Sequence, residues 1–416
     1  MNIMINSRKN DFTVLRELAK QIAEIAESPL QEEKRSMWRK LNGLRPDRTM
    51  VMVDQVCWHE MNVNDELTLL CLDKELREWE WSLRKTLYQW KHFPVDMVVE
   101  NFFRVPMAIS GSDFGIETEE KLLVKDINND VISHAYINQF AGMEDLDKIK
   151  MPVISHDETE TKRRKTLAEE AFDGTLEIYA QGFDPYISVW DPITCWMGVQ
   201  EVLFALLDEP EMMLKMAEKL VAGYMSMLDQ LEEQGLLCRR QSLIHCTGAW
   251  TDELPQGKLE DRNPATKDLW TFGLAQMFAA VSPAIFDKFE IETSMPLFER
   301  FGLIYYGCCD PLDKKMNEVR KIPNLRKVSM STWADKASGA EAISSDYVFS
   351  FKPNPAHLAE NTFDEDLVRN DLLETKALCE KYKCPLEIIL KDISTVKYKP
   401  HNLWRWAEIA MEVVRS

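Results

Sequence analysis

Four times in the second half of the chain, a short apolar run ends in a burst of chemically capable residues and gives way to a polar segment with helical spacing. The runs are FGLIYYGCCDP (301–311), LRKVSMSTWAD (325–335), YVFSFKPNP (347–355) and CPLEIILKDIST (384–395). Strands alternating with helices, with reactive side chains gathered where each strand stops, are what a (β/α)8 barrel places on its C-terminal face. The cadence predicts an α/β fold, a (β/α)8 TIM barrel, and puts the functional site at the ends of those strands.

At 416 residues the chain exceeds a bare barrel of about 250 residues, so part of it must precede or decorate the barrel. Residues 11–43 carry apolar side chains at helical spacing and end at Gly43, with Pro46 beyond, which predicts an N-terminal helical extension over 1–47 and the barrel over 48–416. Apolar runs at 50–55, 98–105, 186–190 and 242–246 are the expected earlier strands. Between them, the stretch after Trp190 reads as two helices broken at Pro210, and 268–299 reads as helix interrupted by Pro283. PHNLWRWAEIAMEVV (400–414) is the expected closing amphipathic helix. Residues 111–165, rich in charge and turn formers, form the long insertion expected over the barrel mouth, since loops of that length are usually lids or binding loops.

No run of about 18 uncharged apolar residues occurs, and the opening MNIMINSRKND has no signal-peptide core, so a cytoplasmic protein that neither spans a membrane nor is secreted is expected. Nine cysteines, an odd number without a periodic framework, read as free thiols, some of them candidate metal ligands. The formal charge of −19 argues against nucleic acid as a partner, because binding that backbone needs a basic footprint.

The segment PITCWMGVQEVLFALLDEPEMM resembles the P-[FI]-T…LL-x-[DE]-P-E stretch of the uroporphyrinogen decarboxylase superfamily. YYGCCDPL falls where the methyltransferase branch of that superfamily carries a His-x-Cys-Gly metal motif. The resemblance covers roughly 45–415. It points to the corrinoid-dependent methyltransferases, and within them to the substrate-side enzymes of anaerobic O-demethylases. It implies transfer of a methyl group from a small donor, such as a methoxylated aromatic, to the cobalt (cobalamin) of a separate corrinoid protein, with zinc as a cofactor. Two departures stand out. The stretch after the first strand, Cys57-Trp58-His59-Glu60-Met61-Asn62, lacks the arginines that hold porphyrinogen carboxylates, and Tyr306 and Cys309 replace the His and Gly flanking Cys308. A decarboxylase (lyase) and a non-catalytic corrinoid or small-ligand binding barrel are the rival readings.

Zinc prefers thiolate and imidazole, with an open position where it is catalytic, so Cys308 and His245 are the first candidate metal ligands, with Cys309 behind them. Alternation along a strand would let only one of the two cysteines face the mouth, and Cys308 is the expected one. Glu365, Glu380 and His401 match a spacing associated with zinc in the ether-cleaving relatives. If 364–383 is one helix, however, the two glutamates stand about 22 Å apart, which disfavours a joint site. Glu60, Tyr306, Lys391 and Asp392 are the candidate proton donors or catalytic groups. His59, Trp333, Lys352 and Asn354 are candidates to orient a ligand or the corrinoid.

Overall fold

The computed structural model describes residues 2–123 and 133–416, so the middle of the expected insertion, 124–132, lies outside the described residues. Eight parallel strands organise the chain. We number them β1 (Met50–Val53), β2 (Phe102–Pro106), β3 (Glu177–Gln181), β4 (Trp270–Gly273), β5 (Leu303–Tyr306), β6 (Leu325–Met330), β7 (Val348–Phe351) and β8 (Leu386–Leu390). Six of them make one parallel sheet in the order β1-β8-β7-β6-β5-β4, and β2 pairs β3 separately, also in parallel.

The fold is therefore mixed α/β and TIM-barrel-like, but its ladder is not closed among the described residues, a correction to the closed eight-stranded barrel expected. Both seams show why. Beside β1, Asp96 returns one backbone bond to Val51 (2.9 Å), but the Val51 N–H is taken by the Asp96 carboxylate (2.8 Å). At the other seam only an isolated bridge, Tyr186 to Phe272, joins the arcs. There the amide of Gln241 occupies the edge of β4, accepting from Trp270 N (2.7 Å) and donating to Trp270 O (3.1 Å). Side chains replace ladder partners, so backbone donors are satisfied without continuous pairing.

Three strand expectations are also corrected. Residues 186–190 are not a strand, since a helix begins at Trp190; the strand of that unit is β3, upstream. The 242–246 run is a tight antiparallel hairpin, Leu243–Ile244 against Thr247–Gly248, that turns at His245 with a φ of 50°. The segment 268–299 opens with the buried strand β4 before it becomes helical.

The N-terminal extension folds as α1 (Asn2–Ala26) and α2 (Pro29–Asn42). Ser28 caps α2, Pro29 opens it and Gly43 follows it, the arrangement that satisfies or removes orphan end groups. This extension also reaches the barrel interior. Trp38 is fully buried, donates Nε1–H to Asp96 O (2.9 Å) and lies under the Lys327 ammonium, 5.2 Å from its ring. The next helices are α3 (Lys74–His92), α4 (Glu158–Phe172), α5 (Trp190–Met197), α6 (Val199–Asp208) and α7 (Pro210–Glu233). The described part of the insertion packs on this group: Gln139 N donates to Trp196 O of α5, and Lys219 of α7 reaches Leu146 O. No helix among the described residues is long and apolar enough to cross a membrane.

Candidate functional site

A glycine decides the geometry at the end of β5. Gly307 has a φ of 91°, and a Cβ there would lie 2.4 Å from Leu312 Cδ1. The left-handed turn ends the strand's alternation, so Cys308 and Cys309 both reach one cluster, their sulfurs 3.5 Å apart. This corrects the expectation that only one would face the mouth. Gly307→Ala is expected to cost about 1–3 kcal/mol of stability through backbone strain and overlap; urea unfolding checks it.

Around the sulfurs, two elements deliver three polar groups. His245, at the hairpin turn, stacks on Phe272 with ring centroids 4.1 Å apart, which fixes its Nε2 3.5 Å from Cys308 Sγ. Lys391 follows β8 and donates to Cys308 Sγ (3.2 Å), Cys309 Sγ (3.5 Å) and Asp392 Oδ2 (2.5 Å). Asp392, with φ 57°, also accepts from the Cys309 thiol at 3.0 Å. The Cys309 hydrogen bond, the His245 contact and the Lys391 charge outweigh burial and hold the Cys308 thiol well below the ordinary thiol range. Burial alone would lower the pKa of Lys391, but the neighbouring sulfurs and Asp392 keep it raised, so it remains an ammonium. The arrangement is a thiolate–ammonium–carboxylate cluster with an imidazole at its edge.

The donor chemistry is that of a zinc site, yet the geometry is not. Among the described residues, no three His, Cys, Asp or Glu side chains converge as metal ligands. The Lys391 ammonium touches both sulfurs and the Asp392 carboxylate, the place a cation would need. Cys308, Cys309 and His245 come together, but as placed they do not fit the metal. Glu365, Glu380 and His401 are not brought together as a site. Both glutamates lie on one continuous helix, α8 (Glu365–Tyr382), about 22 Å apart along its axis. Glu365 pairs with Arg405 and Glu380 with Lys376, and His401 is exposed on the closing helix.

Next to the cluster is a cavity of about 300 Å³, walled by Cys309, Trp333, Lys352, Asn354, Lys391 and Asp392. Trp333 stands at its rim, 74 % exposed. Asn354 is partly committed, since its side chain accepts from Ala356 N at 3.0 Å and caps the turn after β7. Lys352, at the end of β7, is buried and donates to Tyr305 OH (2.5 Å) and Ser350 Oγ (2.6 Å).

Two expected catalytic groups are elsewhere. Glu60 is a structural clamp: its carboxylate accepts from Thr395 Oγ1 (2.6 Å), Val396 N (2.6 Å) and Tyr398 N (3.0 Å), fixing the loop after β8. Its neighbour His59 is tucked against Tyr398, with neither ring nitrogen hydrogen-bonded. Tyr306 faces the helices, because alternation along β5 sends Tyr305 inward and Tyr306 outward. Its hydroxyl donates to Glu290 Oε1 at 3.0 Å within a π-helical turn, Asp287–Ile291.

Burial pushes Glu290 up to about 8, against the opposing hydrogen bonds of Tyr306 and Ser294. An acid raised in the fold holds its proton where the unfolded chain has lost it, so stability falls as pH rises from about 4.5 to about 8. Glu290→Gln is expected to flatten that decline, which unfolding curves at a series of pH values would show.

The interior residues that sequence reasoning passed over are Tyr305, Lys327, Ser350 and Glu387. Glu387 Oε2 accepts from Lys327 Nζ and Thr247 Oγ1, both at 2.7 Å, and Oε1 accepts from Ser350 Oγ at 2.5 Å. Their signal was present as polar or charged residues within apolar strands, all on the inward parity.

No protein-family model matches the chain, and no curated protein matches it. Among solved structures it is similar to a methyltransferase from Methanosarcina mazei. The two share 9% sequence identity, the alignment covers 91% of this chain and 97% of that one, and the TM-score is 0.48. Identity and score of this size leave the function to be argued from the side chains.

Proposed function

We propose that the chain is a methyltransferase that takes a methyl group from a small methylated donor, a methoxylated aromatic fitting best, and passes it to the cobalt of a separate corrinoid protein. The observation that carries this reading is the Cys308–Lys391–Asp392–His245 cluster opening onto a cavity with one aromatic wall, at the ends of parallel strands. Ligand pockets that combine an apolar surface with a few convergent polar groups bury and orient small molecules in this way.

In this reading the donor's ring lies against Trp333 and its methyl group faces outward, where the corrinoid acceptor supplies the nucleophile. The departing oxygen faces the polar wall. The Cys308 thiolate and Asp392 keep Lys391 protonated and in place, so a fixed ammonium dipole, flanked by its two counter-charges, stands beside the point where negative charge develops. No step is assigned to zinc. The decarboxylase reading finds no support in the cavity, whose wall contains no arginine.

The test is to mix the protein with a reduced corrinoid protein, or with cob(I)alamin as a surrogate, and to follow the visible spectrum on adding methoxylated aromatics and methylamines. Methylation of cobalt with a methoxylated aromatic supports the proposal. Turnover with methylamines alone moves the donor class, and methylation with no donor, even with the cognate corrinoid partner present, removes the reaction class.

A further inference from the structure

The barrel interior holds two lysines against one carboxylate. Lys327, Lys352 and Glu387 are all buried, and Glu387 bonds directly to Lys327 at 2.7 Å. Lys352 reaches that carboxylate only through Ser350, which accepts from Lys352 at 2.6 Å and donates to Glu387 at 2.5 Å. Its other acceptor is the neutral Tyr305 hydroxyl. Two of its three N–H groups are thereby used among the described residues, and Lys352 is one of the residues that wall the cavity beside Cys309.

A buried ammonium without a direct counter-ion is costly, and this one stands at the wall of a cavity large enough for a small aromatic molecule. We infer that Lys352 is the anchor for an aromatic oxyanion, the phenolate-type oxygen left on the ligand when its methyl group departs. The inference rests on the methyl-transfer reading for the origin of that oxygen, but the binding it asserts stands apart from turnover.

The surroundings support this role. Burial lowers Lys352 to about 8, opposed by the Glu387 charge. The groups facing it are Tyr305 from β5, Glu387 from β8 and Lys391 just after it, Ser350 on its own strand, Cys246 from the hairpin turn and Cys308 after β5. An incoming phenolate supplies the direct counter-ion that Lys352 lacks among the described residues, and it takes the third N–H. In the reaction the corrinoid acceptor supplies the electron pair for the new bond to the methyl carbon, the methyl–oxygen bond breaks with its pair staying on oxygen, and the Lys352 N–H donates to that oxygen as the charge appears.

The experiment compares 4-nitrophenol with 4-nitroanisole, its neutral methyl ether, as ligands of the wild-type protein and of Lys352→Met, with benzoate as a third probe. Wild type is expected to bind nitrophenolate more tightly than nitroanisole, with the bound ligand showing the phenolate absorption band. Lys352→Met should weaken nitrophenolate binding about tenfold or more and leave nitroanisole binding unchanged, a split that general damage to the fold would not produce. If Lys352→Met does not fold, Lys352→Gln, which keeps hydrogen bonds to Tyr305 and Ser350, takes its place. Equal loss for both ligands, no preference for nitrophenolate in wild type, or tighter binding of benzoate with the same dependence on Lys352 overturns the assignment. Because no methyl transfer is needed, an inactive protein that binds nitrophenolate through Lys352 refutes the methyltransferase reading alone, and an active one that does not refutes the anchor alone.

Discussion

Replacing Glu387 with glutamine is expected to cost about 3–5 kcal/mol of folding stability, because removing one partner of a buried ion pair leaves the other charge uncompensated. Lys327 and Glu387 are both fully inaccessible, and the carboxylate is held by Lys327, Thr247 and Ser350 at once. Two ammonium groups, those of Lys327 and Lys352, would lose the carboxylate they share. The matched change, Glu387→Leu with Lys327→Met, should recover most of that loss, since an apolar replacement of a whole buried pair is often neutral or better. Urea unfolding of both variants checks the pair. A Glu387→Gln loss below about 1 kcal/mol, the size of a surface ion pair, would show that the interior is more hydrated than this packing implies.

Cys308→Ser should lower methyl transfer by about 100-fold or more while leaving the fold intact. The buried thiolate is the anion that His245 and Lys391 face. Serine is nearly the same size but keeps its proton at neutral pH, so Lys391 loses one of its two counter-charges and swings its pairing toward Asp392. Far-ultraviolet circular dichroism and the initial rate of cobalt methylation separate the two effects. Wild-type rate in the serine variant would remove the cluster from the chemistry.

Much of this was legible from the chain. The four late units end in FGLIYYGCCDP, LRKVSMSTWAD, YVFSFKPNP and CPLEIILKDIST, and each contains one of β5 to β8. Apolar runs bounded by polar helices carry that information locally, and the ends of those strands gave Cys308, Cys309, Lys352, Lys391 and Asp392. The early strands were harder. β3 is exposed or half-buried at four of its five positions, so it is no buried apolar run, and the 242–246 run looks like a strand while turning back on itself at His245. His245 was nonetheless singled out beside Cys308, although the hairpin that puts it there is a long-range arrangement.

Tyr306 stands where the motif carries its histidine, a place that suggests chemistry, whereas alternation along β5 turns it toward Glu290. Glu60 was chosen for its position after β1, where its partners Thr395, Val396 and Tyr398 are more than 300 residues away in sequence. No local pattern reveals such a clamp. The reach of both cysteines into one cluster depended on the positive φ of Gly307, which the glycine itself permits but does not announce.

The central claim is methyl transfer through the cluster at the end of β5, and a single-turnover comparison tests it most directly. Wild-type protein and Cys308→Ser are each mixed with the reduced cognate corrinoid protein and a methoxylated aromatic, and the cobalt–methyl absorption is followed in time. Rapid methylation by wild type with stoichiometric release of the phenol, and a rate reduced about 100-fold or more in the variant, is the predicted result. No methylation by wild type with any methoxylated donor, or equal rates in the two proteins, would contradict the account.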